Sequence, residues 1–285
     1  MPILSIQSHV CFGTVGNRAA GFLLQRLGFE VWAVNSVQFS NHTGYGSWSG
    51  ETTSPETVAQ LIEGVLARST AGNCQAILSG YLGTAPLGET ILDAVARLQG
   101  ESSDVLYCCD PVMGDHGRGL FVQPDIPAFL AERALPAANL LTPNLFELEL
   151  LSGRTIRTLQ EAVAAARNLI ERGPSLVLVT SLRHQTSETD EIEMLAVTAD
   201  VAWRVATPLL ALRPPPGGLG DATTALFLAH YLKSADPRHA LEACSAAVYE
   251  IVLATAARGD RELALVDAQD CVVVPRHRFT AKLVT

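Results

Sequence analysis

Short apolar runs of β-rich composition alternate with stretches of helical period through most of the chain, and each run stops in a glycine-rich or polar segment. That alternation belongs to successive strand–helix–strand crossovers, and it restricts the chain to a mostly parallel α/β sheet flanked by helices. The runs fall at 3–7, 31–37, 75–78, 105–109, 140–141 and 176–179, with helical stretches at 17–27, 55–68, 87–99, 144–151 and 158–172. Ser54-Pro55-Glu56 is a strong helix start, a capping residue followed by proline at the first helical position. Residues 191–205 read as two antiparallel strands about Thr198-Ala199-Asp200, and helices at about 221–233 and 238–257 follow a proline-rich stretch. The polar, glycine-rich stretch 40–50 reads as a small flap. No repeat, low-complexity tract or linker divides the 285 residues, so one domain over 1–285 is expected.

In an open sheet of this kind ligands gather at the carboxyl ends of the strands. The segments there are SGYLGTA, DPVMGDHGRG, TPNLFE and TSLRHQ. Charge narrows the ligand: a net charge of −9 disfavours nucleic acid and anionic lipid as partners. Of the basic residues only Lys233 and Lys282 are lysine, and neither follows a glycine loop, which excludes a Walker-type phosphate site and leaves no supported Schiff-base lysine. The six cysteines form no CxxC pair or zinc spacing, and the N-terminus has no basic region leading into a long apolar stretch. A reduced, cytoplasmic chain that binds no membrane is expected.

The sharpest motif is Gly217-Gly218-Leu219-Gly220-Asp221 opening an apolar helix. Glycines permit a tight turn, and the unpaired N–H groups of the first helical turn then make an anion hole that needs no lysine. Asp221 at that mouth could take the proton of an alcohol attacking a γ-phosphate. The same residues also fit a plain N-cap after a glycine turn. Acidic residues at two other strand ends, Asp110 with Asp115 and Glu147 with Glu149, could serve magnesium through few carboxylates, waters and phosphate oxygens. They also fit a Pro/Gly turn and a capping box begun by Asn144. Ser8, His9, His42, Thr43 and Tyr81 could frame a small aromatic alcohol. Gly13-Thr14-Val15-Gly16 lacks the spacing of a dinucleotide fingerprint and reads as the glycine-rich approach to the first helix.

The segments SIQSHVCFGTVGN, VNSVQFSNHTGYG, LSGYLG, CDPVMGD, TPNLFELE, LVTADVAW, GGLGD and AAVYEI together resemble the pyridoxal kinases of the ribokinase-like superfamily, nearest their bacterial PdxY type. The resemblance implies a ribokinase-like fold and ATP-dependent phosphorylation of the 5′-hydroxymethyl group of pyridoxal to pyridoxal 5′-phosphate, in vitamin B6 salvage. It implies Asp221 as base and the N–H groups of Gly218, Leu219, Gly220 and Asp221 as the phosphoryl cradle. Ser8, His42, Thr43, Gly44 and Tyr81 match the substrate side. Asp110, Thr142, Glu147 and Thr180 match the nucleotide side, with Thr207, Pro208, Leu209 and Leu210 near the adenine and Asp115 and Glu147 toward the metal. Magnesium, often with potassium, and a homodimer built through small strands outside the main sheet belong to the same expectation.

The sequence departs from the pattern at Leu219, where a smaller or β-branched residue is common, and at Leu120, where some relatives carry a reactive cysteine. The RPPPGG approach also looks shortened. A hydroxymethylpyrimidine kinase shares fold and chemistry, although the flap VQFSNHTGYG favours pyridoxal. A non-catalytic pyridoxal-binding protein is opposed by the intact Gly220 and Asp221.

Overall fold

The computed structural model describes residues 2–68, 74–185, 187–210 and 212–285. In chain order the strands are β1 (Ile3–Phe12), β2 (Val31–Asn41), β3 (Gly50–Thr52), β4 (Ala76–Ser79), β5 (Leu106–Cys109), β6 (Gly114–Asp115), β7 (Gly119–Leu120), β8 (Leu140–Leu141), β9 (Leu176–Leu182), β10 (Glu191–Val197), β11 (Ala202–Pro208) and β12 (Lys282–Leu283). Ten of them form one sheet in the order β12-β11-β10-β9-β8-β5-β4-β1-β2-β3, and β6 and β7 pair as a separate hairpin. From β2 to β9 neighbouring strands are parallel, whereas β3 and β10 to β12 join antiparallel at the two edges.

Strand alternation sorts the side chains onto two faces. Leu4, Ile6, Ile77, Cys109, Leu141, Val177 and Val179 enter one apolar layer, under helices that include Pro55–Leu66, Ala85–Glu101 and Leu159–Ile170. Ile3, Ala76, Leu78, Cys108, Leu140, Leu176 and Leu178 enter the other, under Asn17–Arg26, Leu219–Ser234, Pro237–Arg258 and Leu265–Val273. Helix starts follow local chemistry. Ser54, Thr84, Asn144 and Thr158 each accept a backbone N–H in the first turn of their helix, a contact of about 1 kcal/mol.

Pro237–Arg258 is the one described helix long and apolar enough to cross a membrane by length and composition. It packs in the second layer, with Ala240, Leu241, Cys244, Ala247 and Ile251 fully buried.

Several bounds differ from the sequence reading. β1 and β2 run five and four residues past the expected 3–7 and 31–37, because they go on pairing with each other (Val10 with Phe39, Phe12 with Asn41) after β4 has ended at Ser79. The flap strand β3 pairs with β2 and is therefore an edge of the main sheet, not a strand outside it. The Leu265–Val273 helix, the helical stretch from Ile126 to Ala137, the β6–β7 hairpin and β12 do not follow from the sequence pattern. The hairpin and β12 offer only two residues per strand, and Pro127 and Pro136 interrupt the pattern of the helical stretch.

From β1 the chain winds one way to β2 and the other way through β4, β5, β8 and β9. The switch in direction opens a crevice past the carboxyl ends of β1 and β4, where open α/β sheets hold their ligands.

Candidate active site

A cleft of about 290 Å³ occupies that crevice. It gathers residues from every strand end singled out by the sequence: Ser8, His42 and Thr43, Tyr81, Asp110 and Asp115, Thr142 and Glu147, Thr180, and the loop from Gly217 to Asp221. Gly44 stands beside them in the short 3₁₀ helix Thr43–Tyr45 without lining the cleft. Thr207, Pro208, Leu209 and Leu210 do not line it either. Thr207 is buried at the end of β11 opposite Ile192, and the Leu209 N–H donates to the Asp190 carbonyl at 2.7 Å.

Two glycine loops interlock at the heart of the cleft. Gly218 is the N-cap of the Leu219–Ser234 helix, in left-handed backbone at φ 87°, and no side chain caps that helix. A Cβ there would lie 2.0 Å from the Thr14 carbonyl oxygen. The first intrahelical bond is Ala222 N–H to the Gly218 carbonyl, so the amides of Leu219, Gly220 and Asp221 precede the helical ladder and the positive end of the helix dipole faces the cleft. Asp221 is thus the third residue of the helix rather than its cap. Its Oδ2 accepts the Gly16 N–H at 2.9 Å. Gly16 is itself indispensable in this geometry, since a Cβ would fall 2.0 Å from the Ser8 carbonyl oxygen. The 13–16 loop therefore does more than lead into a helix: it orients the carboxylate.

Behind the loop, Asn17 is buried and locks the first helix to the sheet. It accepts from Ser5 Oγ at 2.8 Å and donates to the Val34 carbonyl at 2.9 Å. We expect Gly218→Ala to displace the cradle from Thr14, at a strain of about 1–3 kcal/mol for a non-glycine residue held in such backbone, and to lower kcat/KM roughly 100-fold. Steady-state kinetics with a thermal melt check this; unchanged kinetics would contradict it.

The acidic side of the cleft is deeply buried. Asp110 is 5% exposed and Glu147 3%. Burial, reinforced by Glu147 and Asp221, pushes the Asp110 carboxyl well above the carboxylate range, although the Thr224 hydroxyl, itself paired with Thr142, donates to it. Burial raises Glu147 to about 7, opposed by N–H groups donated from Asn144 and Met113. The Asn144/Glu147 capping box is present, so the same carboxylate starts a helix and ties it to the loop after β5. Asp221 is likewise raised by burial, partly offset by the Gly16 amide. Asp115 holds its own hairpin, accepting from the Gly117 and Arg118 N–H groups at 2.8 Å and from Arg118 Nε at 2.9 Å.

On the acceptor side, the register of β1 against β2 shifts between Gln7 and His9, placing Ser8 at a bulge. His42 caps the 3₁₀ helix, with Nδ1 accepting the Gly44 N–H at 3.2 Å. Burial, then Arg118, lower its pKa, so the ring is neutral at neutral pH. Tyr81 is half-buried against the cleft, and burial raises its phenol. Arg118 and Ser181 also line the cleft without a signal in the sequence, and Asn144, read there only as a helix cap, lines it too. Among the described residues lining the cleft, Arg118 alone supplies a full positive charge, and it sits in a hairpin too short to be read from pattern. Ser181 is held at φ 47°, a strain no motif announces. Lys233 lies elsewhere, its Nζ donating to the Leu27 carbonyl at 2.6 Å, consistent with an anion site made of amides.

This combination of an uncapped helix N-terminus, a carboxylate fixed at its third residue and a buried acidic pair suits phosphoryl transfer to an alcohol. Comparison with known proteins agrees. The model of the phosphomethylpyrimidine kinase family matches residues 27–264. Pyridoxal kinase PdxY of Rubrobacter xylanophilus is 53% identical over 99% of this chain and 97% of its own length, and that of Deinococcus radiodurans 49% identical over 99% and 96%. Among solved structures, pyridoxal kinase from Leishmania donovani in complex with ADP and pyridoxamine superposes with a TM-score of 0.92 at 28% identity, covering 100% of this chain and 99% of that one. The mostly parallel, helix-flanked sheet is the one expected of this superfamily, and with sequence agreement running almost end to end the chain belongs to the phosphomethylpyrimidine kinase family, among its PdxY pyridoxal kinases.

Proposed function

We propose that this chain, acting as one domain over residues 1–285, transfers the γ-phosphoryl group of ATP to the 5′-hydroxymethyl oxygen of pyridoxal. The supporting observation is the placement of Asp221 and the amides from Gly218 to Asp221 in one cleft with the aromatic and hydroxyl side chains expected to hold the vitamin. Asp221 takes the hydroxyl proton as the new O–P bond forms. The bond from the γ-phosphorus to the bridging oxygen breaks, and ADP leaves with that oxygen. The amides meet charge on the moving phosphoryl. Ser8, His42, Thr43, Gly44 and Tyr81 frame the pyridine ring. Asp110, Thr142, Glu147 and Thr180 face the nucleotide, and Thr207, Pro208, Leu209 and Leu210 approach its adenine.

A divalent cation fits the residues present. Three carboxylates, Asp110, Glu147 and Asp221, raise one another or are raised by burial around a cleft with one guanidinium. Few carboxylates suit magnesium, which Asp110, Glu147 or Asp115 would hold together with waters and phosphate oxygens. Such an ion supplies charge neutralisation on the triphosphate; potassium assists in the family pattern. A homodimer through the flap is supported by its exposed Trp48, by the exposed Phe12 at the end of β1, and by the edge position of β3. The setting we propose is cytoplasmic, with no membrane or nucleic-acid partner.

ATP turnover with pyridoxal, pyridoxine, pyridoxamine and hydroxymethylpyrimidine side by side tests this reading. Pyridoxal is expected to be phosphorylated. Turnover with hydroxymethylpyrimidine alone would move the assignment to that kinase, and tight pyridoxal binding without turnover would make the chain a binding protein.

A further inference from the structure

The cleft's two borders, the flap and the 13–16 loop, are fastened by a third segment that contributes nothing to the lining. After the Pro237–Arg258 helix the chain turns at Gly259, in left-handed backbone at φ 66°. Residues 260–264 then pass behind the flap. Glu262 spreads its carboxylate between the two borders: Oε1 accepts the Tyr45 hydroxyl at 2.7 Å, and Oε2 accepts the Thr14 N–H at 2.8 Å. The Thr14 hydroxyl in turn accepts the Leu263 N–H at 3.1 Å. Arg261 stacks its guanidinium 4.1 Å from the centre of the Tyr45 ring and donates to the Gly44 carbonyl. Phe12 packs edge-on against Tyr45, with ring centres 6.0 Å apart.

The segment is braced before it reaches out. Asp260 Oδ1 accepts the Arg261 N–H at 2.6 Å, and the Ala264 N–H donates to the buried Thr255 hydroxyl at 3.0 Å. It is also tightly fitted, because a Cβ at Gly13 would lie 2.5 Å from the Glu262 carboxylate. The hydrogen bond to Glu262 pushes the Tyr45 phenol up to about 12, so the contact stays intact through the neutral range.

Each contact ends one step from a group of the proposed reaction. Tyr45 terminates the 3₁₀ helix that His42 begins and Thr43 and Gly44 continue. Thr14 presents its carbonyl to Gly218, and its neighbour two residues on, Gly16, donates to Asp221. We infer that Glu262 is a positioning residue of the kinase, a clasp whose carboxylate sets the substrate flap against the 13–16 loop and so fixes where the acceptor alcohol rests. This rests on the pyridoxal kinase reading above. The closest side-chain partner of Glu262 is Tyr45, at the end of the 3₁₀ helix that carries Thr43 and Gly44 on the acceptor side, so the clasp acts first on the acceptor.

The test is steady-state kinetics of the full chain with both substrates varied, for Glu262→Ala, Glu262→Gln and Tyr45→Phe, each with a thermal melt. Glu262→Ala is expected to raise the KM for pyridoxal about tenfold, the size of one lost charge-assisted hydrogen bond, with the KM for ATP within twofold. Tyr45→Phe, which keeps the ring and removes only the hydroxyl, should raise the pyridoxal KM in the same direction. Glu262→Gln, able to accept from Thr14 while donating to Tyr45, should recover most of the loss. The proposal is overturned by an unchanged pyridoxal KM in Tyr45→Phe, or by pyridoxal and ATP KM rising together. Should Glu262→Ala fail to fold, Tyr45→Phe still decides. Absence of pyridoxal turnover in the unsubstituted chain would instead count against the function, and separates the two failures.

Discussion

Asp221→Asn lowers turnover by about three orders of magnitude while ATP binding stays within a few-fold, the span expected when a positioned proton acceptor is lost. The substitution is nearly isosteric. An asparagine oxygen can still accept the Gly16 N–H that now holds Oδ2 at 2.9 Å, so the side chain keeps its place. The backbone amides of Leu219, Gly220 and Asp221 are untouched, so the phosphate cradle survives. Only the ability to take a proton disappears. Burial raises the Asp221 carboxyl above its usual value, so the base must ionise at higher pH than a free aspartate. In the unsubstituted enzyme the rate should fall as pH drops through that raised value, and the acid limb should be missing from the residual activity of the variant. Turnover within tenfold of the parent would remove Asp221 from the role of base.

Excess chelator abolishes activity, by at least roughly a hundredfold, and added magnesium restores it. The reasoning is electrostatic. The cleft holds Asp110, Glu147 and Asp221, with Asp110 held well above its usual pKa by burial and by the other two. Against them stands the one guanidinium of Arg118, already engaged with Asp115 at 2.9 Å. A triphosphate brought into this setting adds negative charge where it is least welcome, and a divalent cation is worth several kcal/mol there. Full ATP turnover in the presence of chelator would contradict the assignment of the acidic pair.

Much of the strand-end chemistry was legible because Tyr81, Asp110 and Thr142 sit just past the ends of parallel strands, where ligands gather. Ser8, His42, Tyr81, Asp110, Thr142, Glu147, Thr180 and Asp221 come from distant parts of the sequence, yet the topology delivers all of them to one cleft. What stayed hidden depends on contacts between segments far apart in the chain. Nothing in Gly13-Thr14-Val15-Gly16 announces that its last amide will hold a carboxylate 205 residues away, or that its threonine carbonyl leaves room only for glycine at 218. Glu262 looks like a surface charge in the sequence and becomes a clasp only once the flap folds over it. Glu147 forms the expected capping box, and the same side chain also accepts the Met113 N–H and lines the cleft. The limit at Thr207, Pro208, Leu209 and Leu210 is of another kind. Their proposed role came from resemblance, and they stand outside the cavity that gathers the rest.

The most direct test is a crystal structure of this chain with a non-hydrolysable ATP analogue, magnesium and pyridoxal. The account predicts the γ-phosphate oxygens against the amides of residues 218–221 and the 5′-hydroxyl of the vitamin within about 3 Å of an Asp221 carboxylate oxygen. A γ-phosphate seated away from the start of the Leu219–Ser234 helix, or a hydroxyl facing some other group, would contradict it.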